Sequence, residues 1–127
     1  MSEINIFKDL EVWKRGCQLA VDVYFANHGS KDFDLNEQMQ RSADSIPSNI
    51  AEGCERDSIP DFIKFLRYSK GSCGELRTRF YISDRVRRKL NQPTLEGSRE
   101  MIKETKELSK MIQSLINSLK RRSSPSS

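Results

Sequence analysis

The sequence predicts an all-α protein, an antiparallel up-down-up-down four-helix bundle, and three observations carry that expectation. Four segments repeat apolar residues at spacings of three and four, and nothing of comparable length alternates with the period of two expected of a half-buried strand. Short connections join these segments, and short connections between long helices make neighbours antiparallel. At 127 residues the chain has room for one core, assigned to residues 1–120, with 121–127 expected as a disordered tail. A domain of this size buries roughly two-thirds of the surface of its unfolded chain, enough for stability without disulfides or a metal. Hydrophobic residues make up 35% and charged residues 31%, which suits thin amphipathic helices with a wide polar face.

The first helix is expected from about Asp9 to His28, with Leu10, Trp13, Cys17, Ala20, Val21 and Tyr24 on one face. Gly29 supplies the left-handed residue that commonly ends a helix, and His28 sits where positive charge suits the terminal carbonyls. A second helix starts near Asn36 as N-cap and turns Met39, Ala43, Ile46 and Ile50 inward. Pro47 interrupts it; the ring removes an amide donor and presses on the Ala43 carbonyl, so a kink is expected, with the apolar pattern running on to Ile50.

The third helix has the clearest start, with Ser58 as N-cap, Pro60 in the first turn and Asp61 at the capping-box position. Its inner face reads Phe62, Leu66, Ser69, Cys73, Leu76, Phe80 and Ser83. It is the longest helix; some 30 residues to Leu90 would span about 45 Å and overshoot the first two. Asn91-Gln92-Pro93 ends it. Thr94 is expected to cap a fourth helix whose stripe is Met101, Ile102, Thr105, Leu108, Ile112, Leu115, Ile116 and Leu119.

Several function classes find no support. Cys17, Cys54 and Cys73 are odd in number, far apart and accompanied by a single histidine, so neither a disulfide framework nor a metal site is expected, and Cys17 and Cys73 read as buried free thiols. Thiols of that kind favour a reducing compartment. The residues Met1 to Ile6 lack a basic start followed by an apolar run, and no stretch approaches the roughly 20 apolar residues of a membrane span, so a cytoplasmic protein is expected. His28 belongs to no nucleophile motif and no glycine-rich phosphate loop precedes a helix, so neither an enzyme nor a cofactor is expected. Trp13 and Tyr24 read as core anchors.

Charge is unevenly placed. Residues 1–63 carry 6 basic and 12 acidic groups, residues 64–89 carry 9 and 2, and residues 90–127 carry 7 and 4. At about 100° per residue, Arg67, Lys70, Arg77, Tyr81, Arg85 and Arg88 share one sector roughly 80° wide beside the apolar face of the third helix. Such a stripe suits a phosphate backbone; it would equally serve by pairing with an acidic subunit surface, or simply be solvated. Gly71 and Gly74 flank it and invite a close backbone approach. Arg87 falls on the apolar side of the same helix, where either the bundle opens or the residue reaches a partner.

A second polar line, Arg41, Ser45, Asn49 and Glu52, follows the kinked helix. One reading is a pocket with Glu52 and Glu75 as acid and base. The favoured one is a buried network in which Glu52 or Glu75 meets Arg41 or the hydroxyl of Ser69 or Ser72 and fixes helix register.

Four stretches carry a resemblance: Phe7 to Lys14 (FKDLEVWK), Gln38 to Gly53 (QMQRSADSIPSNIAEG), Phe62 to Leu66 (FIKFL) and Lys70 to Leu76 (KGSCGEL). Together they resemble the bacterial four-helix-bundle proteins encoded in intervening sequences of 23S rRNA genes, and the Ser-Ile-Pro-Ser-Asn-Ile-Ala-Glu-Gly run is the most specific part. The resemblance implies a ring of identical subunits, a homopentamer, without established activity. A related branch serves as the accessory subunit of diversity-generating retroelement reverse transcriptases, with nucleic acid binding suspected. Arg77, Arg79, Arg85, Arg87 and Arg88 depart from the usual pattern. The function expected is a non-enzymatic homo-oligomer contacting RNA or other nucleic acid through the stripe; the alternative is a protein-binding scaffold or accessory subunit that uses the stripe at interfaces.

Overall fold

The computed structural model describes residues 10–123. Among them are four helices and no strand: α1 Glu11–Asn27, α2 Phe33–Cys54, α3 Ile59–Lys89 and α4 Ser98–Ser123. The fold is all-α, as the apolar spacing predicts, and the packing is consistent with a four-helix bundle. Both α1 and α3 lie against α2 and α4. Residue pairs across three of these four seams run in opposite order: Asn27 meets Met39 while Gly16 meets Ile46, Ser42 meets Glu75 while Ile46 meets Ser69, and Lys70 meets Gln113 while Asp84 meets Ser98.

Three of the four apolar stripes fall where their spacing puts them. Met39, Ala43, Ile46 and Ile50 of α2 are wholly buried, and α2 continues unbroken across the buried Pro47. All seven inner residues expected of α3 are buried. On α4 Met101, Thr105, Leu108, Ile112, Ile116 and Leu119 are buried, with Ile102 and Leu115 packed at the margin.

The face of α1 is a correction. The structure turns Val12, Gly16, Leu19, Val23 and Asn27 inward and leaves Val21 47% and Tyr24 55% exposed, so Tyr24 is no core anchor. Leu10, Trp13 and Ala20 pack at the core margin, and Cys17 is half-buried. Both candidate faces repeat at threes and fours, because apolar residues surround much of this helix. Close approach to α2 decides between them: a Cβ on Gly16 would lie 3.3 Å from Ile46 Cγ2 and 3.5 Å from the Pro47 ring.

The helix ends show local chemistry at work. Gly29 adopts φ 84° after α1. Asn36 is not the cap of α2, which begins three residues earlier beside Asp32; its side chain instead donates to the Ser30 carbonyl at 3.3 Å. Ser58 caps α3 by accepting the Asp61 amide at 3.2 Å. At the other end Asn91 takes φ 56°, with Gln92 N–H donating to Arg87 O at 2.8 Å and Asn91 N–H to Arg88 O at 3.1 Å. That is the double closure of a Schellman motif, with Asn in the left-handed position.

Thr94 does not cap α4. The helix starts four residues later, after Gly97 at φ 77°, because Leu95 is drawn into the core and Ser98 is tied to α3: its hydroxyl lies 3.0 Å from each oxygen of the Asp84 carboxylate. At its far end α4 runs to Ser123, past the boundary expected at residue 120. Residues 124–127, and Phe7, Lys8 and Asp9 of the opening motif, lie outside the described residues. No helix among the described residues is long and apolar enough to cross a membrane.

Candidate nucleic-acid interface

The basic sector of α3 runs along its groove with α4. Arg67, Lys70 and Arg77 border a depression of about 370 Å³ closed on the α4 side by Ser109 and Gln113. One turn beyond Arg77, Tyr81, Arg85 and Arg88 border a second of about 470 Å³, closed by Ser98 and Arg99. All six residues singled out by the sequence therefore share one groove.

They divide by burial. Lys70 and Arg77 are half-buried, because both reach across to α4. Lys70 Nζ donates to Gln113 Oε1 at 2.7 Å; Arg77 Nε donates to Thr105 Oγ1 at 2.9 Å and Nη2 to the Thr105 carbonyl at 3.3 Å. These two clasp the helices together. Arg67, Tyr81, Arg85 and Arg88 are exposed. Among the described residues no ion pair involves Arg67, Arg85, Arg88 or Arg99.

Arg99 escaped the sequence reading. With Thr94 taken as the cap it fell a full turn inside α4, whereas the actual start makes it the second residue of the helix. A basic side chain there opposes the helix dipole, a signal visible only once the start is known. Arg87 resolves differently: it reaches off α3 to the loops, with Nη1 3.4 Å from the Pro93 carbonyl and Nη2 3.5 Å from Ser30 Oγ. It ties the end of α3 to the loops that join α1 to α2 and α3 to α4. Nothing lies within 4 Å of a Cβ built on Gly71 or Gly74.

The polar line of α2 forms a seam with α3, in part with other members. Ser45 Oγ bonds Ser72 Oγ at 2.7 Å, and Asn49 Nδ2 donates to the Ser45 carbonyl at 2.8 Å. Glu75 accepts from Ser42 Oγ at 2.5 Å. Arg41 and Glu52 stay outside this seam: both are exposed and pair within α2, Arg41 with Glu37 at 2.5 Å and Glu52 with Arg56 at 3.5 Å. One residue is about 100° of turn, so Ser42 and not Arg41 faces the seam. Glu52 and Glu75 do not pair, since Glu75 bonds at the level of Ser42, and the ten residues from there to Glu52 span about 15 Å of helix.

Other chemistry-bearing residues lie apart from the groove. His28 is exposed at the end of α1 with its ring against Tyr24. None of the three cysteines is in a disulfide; burial raises the pKa of each thiol, that of Cys73 to about 12. Among the described residues no group of three or more His, Cys, Asp or Glu could hold a metal ion.

No curated protein matches the chain. The family model described as 23S rRNA-intervening sequence protein matches residues 8–114, a span that holds all of α1, α2 and α3, both faces of the groove and the α2–α3 polar seam. The chain belongs to the 23S rRNA-intervening sequence protein family.

Proposed function

We propose that this chain is a non-enzymatic, cytoplasmic, homo-oligomeric protein that contacts RNA along the α3–α4 groove. The observation that carries the reading is the row of exposed Arg67, Tyr81, Arg85 and Arg88 beside Arg99, in which no arginine has an ion-pair partner among the described residues. Solvated arginines aligned along a groove attract a polyanion by counterion release, and a half-exposed tyrosine among them offers a face on which a base stacks. The subunit in this reading is an antiparallel up-down-up-down bundle with α2 kinked at Pro47, in keeping with the opposite-running seam pairs and the missing amide of the proline.

Self-association, with a pentamer as the favoured order, draws support from two exposed apolar patches of opposite electrostatic character. Val21, Tyr24, Phe25 and Phe33 are exposed by 47%, 55%, 68% and 74%, with Asp22, Asp34 and Glu37 among their neighbours in sequence. Ile82, Val86 and Leu90 follow one line of α3, next to Arg79 and Lys89. Patches that complement each other on one chain suit a head-to-tail contact, which closes into a ring when the rotation allows. The same exposed Ile82, Val86 and Leu90 favour the second reading, a protein-binding scaffold or accessory subunit.

Filter binding of a single-stranded RNA at several salt concentrations separates the two. Phosphate-driven binding weakens with a log-log slope near −0.7 per contacted phosphate. An absence of binding at low salt leaves the scaffold. Light scattering that finds a monomer at micromolar concentration removes the oligomer.

A further inference from the structure

We infer that the depression between Tyr81, Arg85, Arg88 and Arg99 is a pocket for a terminal phosphate, the phosphomonoester at the end of a nucleic acid strand; the inference rests on the RNA reading and names the part of the ligand this end of the groove selects. The cleft, of about 470 Å³, draws two arginines from the last turns of α3 and one from the first turn of α4. The loop Leu90 to Gly97 brings them together. Its Asn91 closure and the buried Leu95 fix where α4 begins, and the Ser98 hydroxyl on Asp84 pins that start to α3.

Charge decides the class of ligand. Arg85, Arg88 and Arg99 line the cleft with one carboxylate, Asp84, which is buried and takes up the Ser98 hydroxyl. Three positive charges against one negative leave two uncompensated. A phosphodiester carries one negative charge, whereas a phosphomonoester carries about −1.5 to −2 near neutral pH, with three oxygens that accept charge-assisted bonds. The monoester is the better match. Tyr81, 45% exposed on the same rim, gives the terminal base a ring to stack on.

The placement of Arg99 makes the cluster more than a solvated face. As the second residue of α4 it occupies a turn in which carboxylates stabilise and cations destabilise. The two nearby acids face elsewhere: Glu100, in the same turn, and Glu96, just before the helix, line the separate depression beside Phe25 and Met101. Glu100 answers the helix dipole, but Arg99 faces the cleft beside Arg85 and Arg88 with no ion-pair partner among the described residues, which leaves its charge for an anionic ligand.

The test compares three single-stranded RNA oligonucleotides of one sequence, carrying a 5′-phosphate, a 3′-phosphate or hydroxyls at both ends, by fluorescence anisotropy at one salt concentration. One phosphorylated strand is expected to bind about tenfold more tightly than the hydroxyl strand, the scale of one charge-assisted contact. Arg99→Glu is expected to erase that preference while raising the thermal midpoint, because it places a carboxylate in the first turn; a variant that merely damaged the fold would lower it. Arg88→Ala, on the other helix, is expected to erase the preference as well. Equal binding of all three strands overturns the pocket and leaves the groove standing. No binding of any strand at low salt overturns both.

Discussion

Ser69 of α3 donates its hydroxyl to the carbonyl of Ile46 in α2 at 2.8 Å, one residue before Pro47. The proline has no amide to offer Ala43, so the helix ladder is weakest there. Side chains gather on the neighbouring carbonyls: Ser45 on Ser42, Ser48 on Asp44, Asn49 on Ser45 and Ser69 on Ile46, at 2.7 to 2.8 Å. Three of these bonds turn back onto carbonyls of α2 itself and one crosses from α3, and α2 stays continuous while the Pro47 ring packs under Gly16.

Ser69→Ala removes the contribution that comes from across the seam. Ser69 is wholly buried, so the variant is expected to lose about 1 kcal/mol, the net worth of one buried hydrogen bond. Urea denaturation with an unchanged slope and a lower midpoint is the expected result. An unchanged midpoint shows that the Ile46 carbonyl does not need Ser69.

Some of this was legible in the sequence and some was not. The inner face of α3 was readable because Phe62 to Ser83 keep one alternating four-three register over most of the helix, whereas its second apolar line, Ile82, Val86 and Leu90, is short and confined to one end. The α1 face was not: Val21 and Tyr24 fit the helical period as well as Val12, Leu19 and Val23 do, and only the close approach of Gly16 to Pro47 selects the second set. The six groove residues could be grouped by angle alone, yet which of them are clasps depended on what α4 presents opposite. Thr105 and Gln113 claim Arg77 and Lys70; nothing in the α3 sequence announces that.

Glycines separate tight packing from open surface. A Cβ on Gly53 would stand 2.8 Å from Phe65 Cβ and 3.1 Å from the Phe62 carbonyl. Neither atom can swing aside, so Gly53→Ala is expected to push α2 from α3 and lose about 1–3 kcal/mol. Gly74→Ala meets nothing and should raise subunit stability by about 0.5–1 kcal/mol through helix propensity. If the variant also dissociates the assembly in light scattering, Gly74 lies in a subunit contact.

Cys73 makes stability fall at alkaline pH. Burial raises its thiol pKa from the ordinary value of 9.0 to about 12, so between those values the unfolded chain has released a proton that the folded chain retains. The folded state then binds more protons, and stability drops as pH rises, by up to about 1.4 kcal/mol per unit. The contribution is fully present below pH 9 and gone above about 12. Denaturation of Cys73→Ala across the same range should show a shallower fall than the parent chain; equal slopes would assign the loss to other groups.

Arg15 and Glu104 join α1 to α4 through a two-pronged pair, Nε to Oε2 at 2.8 Å and Nη2 to Oε1 at 2.5 Å. That hydrogen bonding raises the Arg15 pKa above its ordinary value. The side chains remain 36% and 28% exposed, so solvent screens them. A double-mutant cycle with Arg15→Ala and Glu104→Ala is expected to give a coupling of about 0.5–1 kcal/mol, smaller at 1 M salt. A coupling that salt leaves unchanged indicates packing, through the Arg15 contact with Met111, and not charge.

Arg77 and Arg67 face the same groove with different duties, and their alanine variants should part accordingly. Arg77→Ala leaves the buried Thr105 hydroxyl and carbonyl without the guanidinium that reaches them at 2.9 and 3.3 Å, so it is expected to lose about 1–2 kcal/mol of stability. Arg67 is exposed and has no ion-pair partner among the described residues, so its alanine variant should stay within about 0.5 kcal/mol of the parent. RNA binding should respond in the reverse order for Arg67: lower affinity with full stability, and a salt slope shallower by about 0.7 for the phosphate no longer contacted. Were Arg67→Ala to leave both affinity and slope untouched, the groove's lower half would carry no part of the ligand, and contact would be confined to the end bordered by Arg85, Arg88 and Arg99.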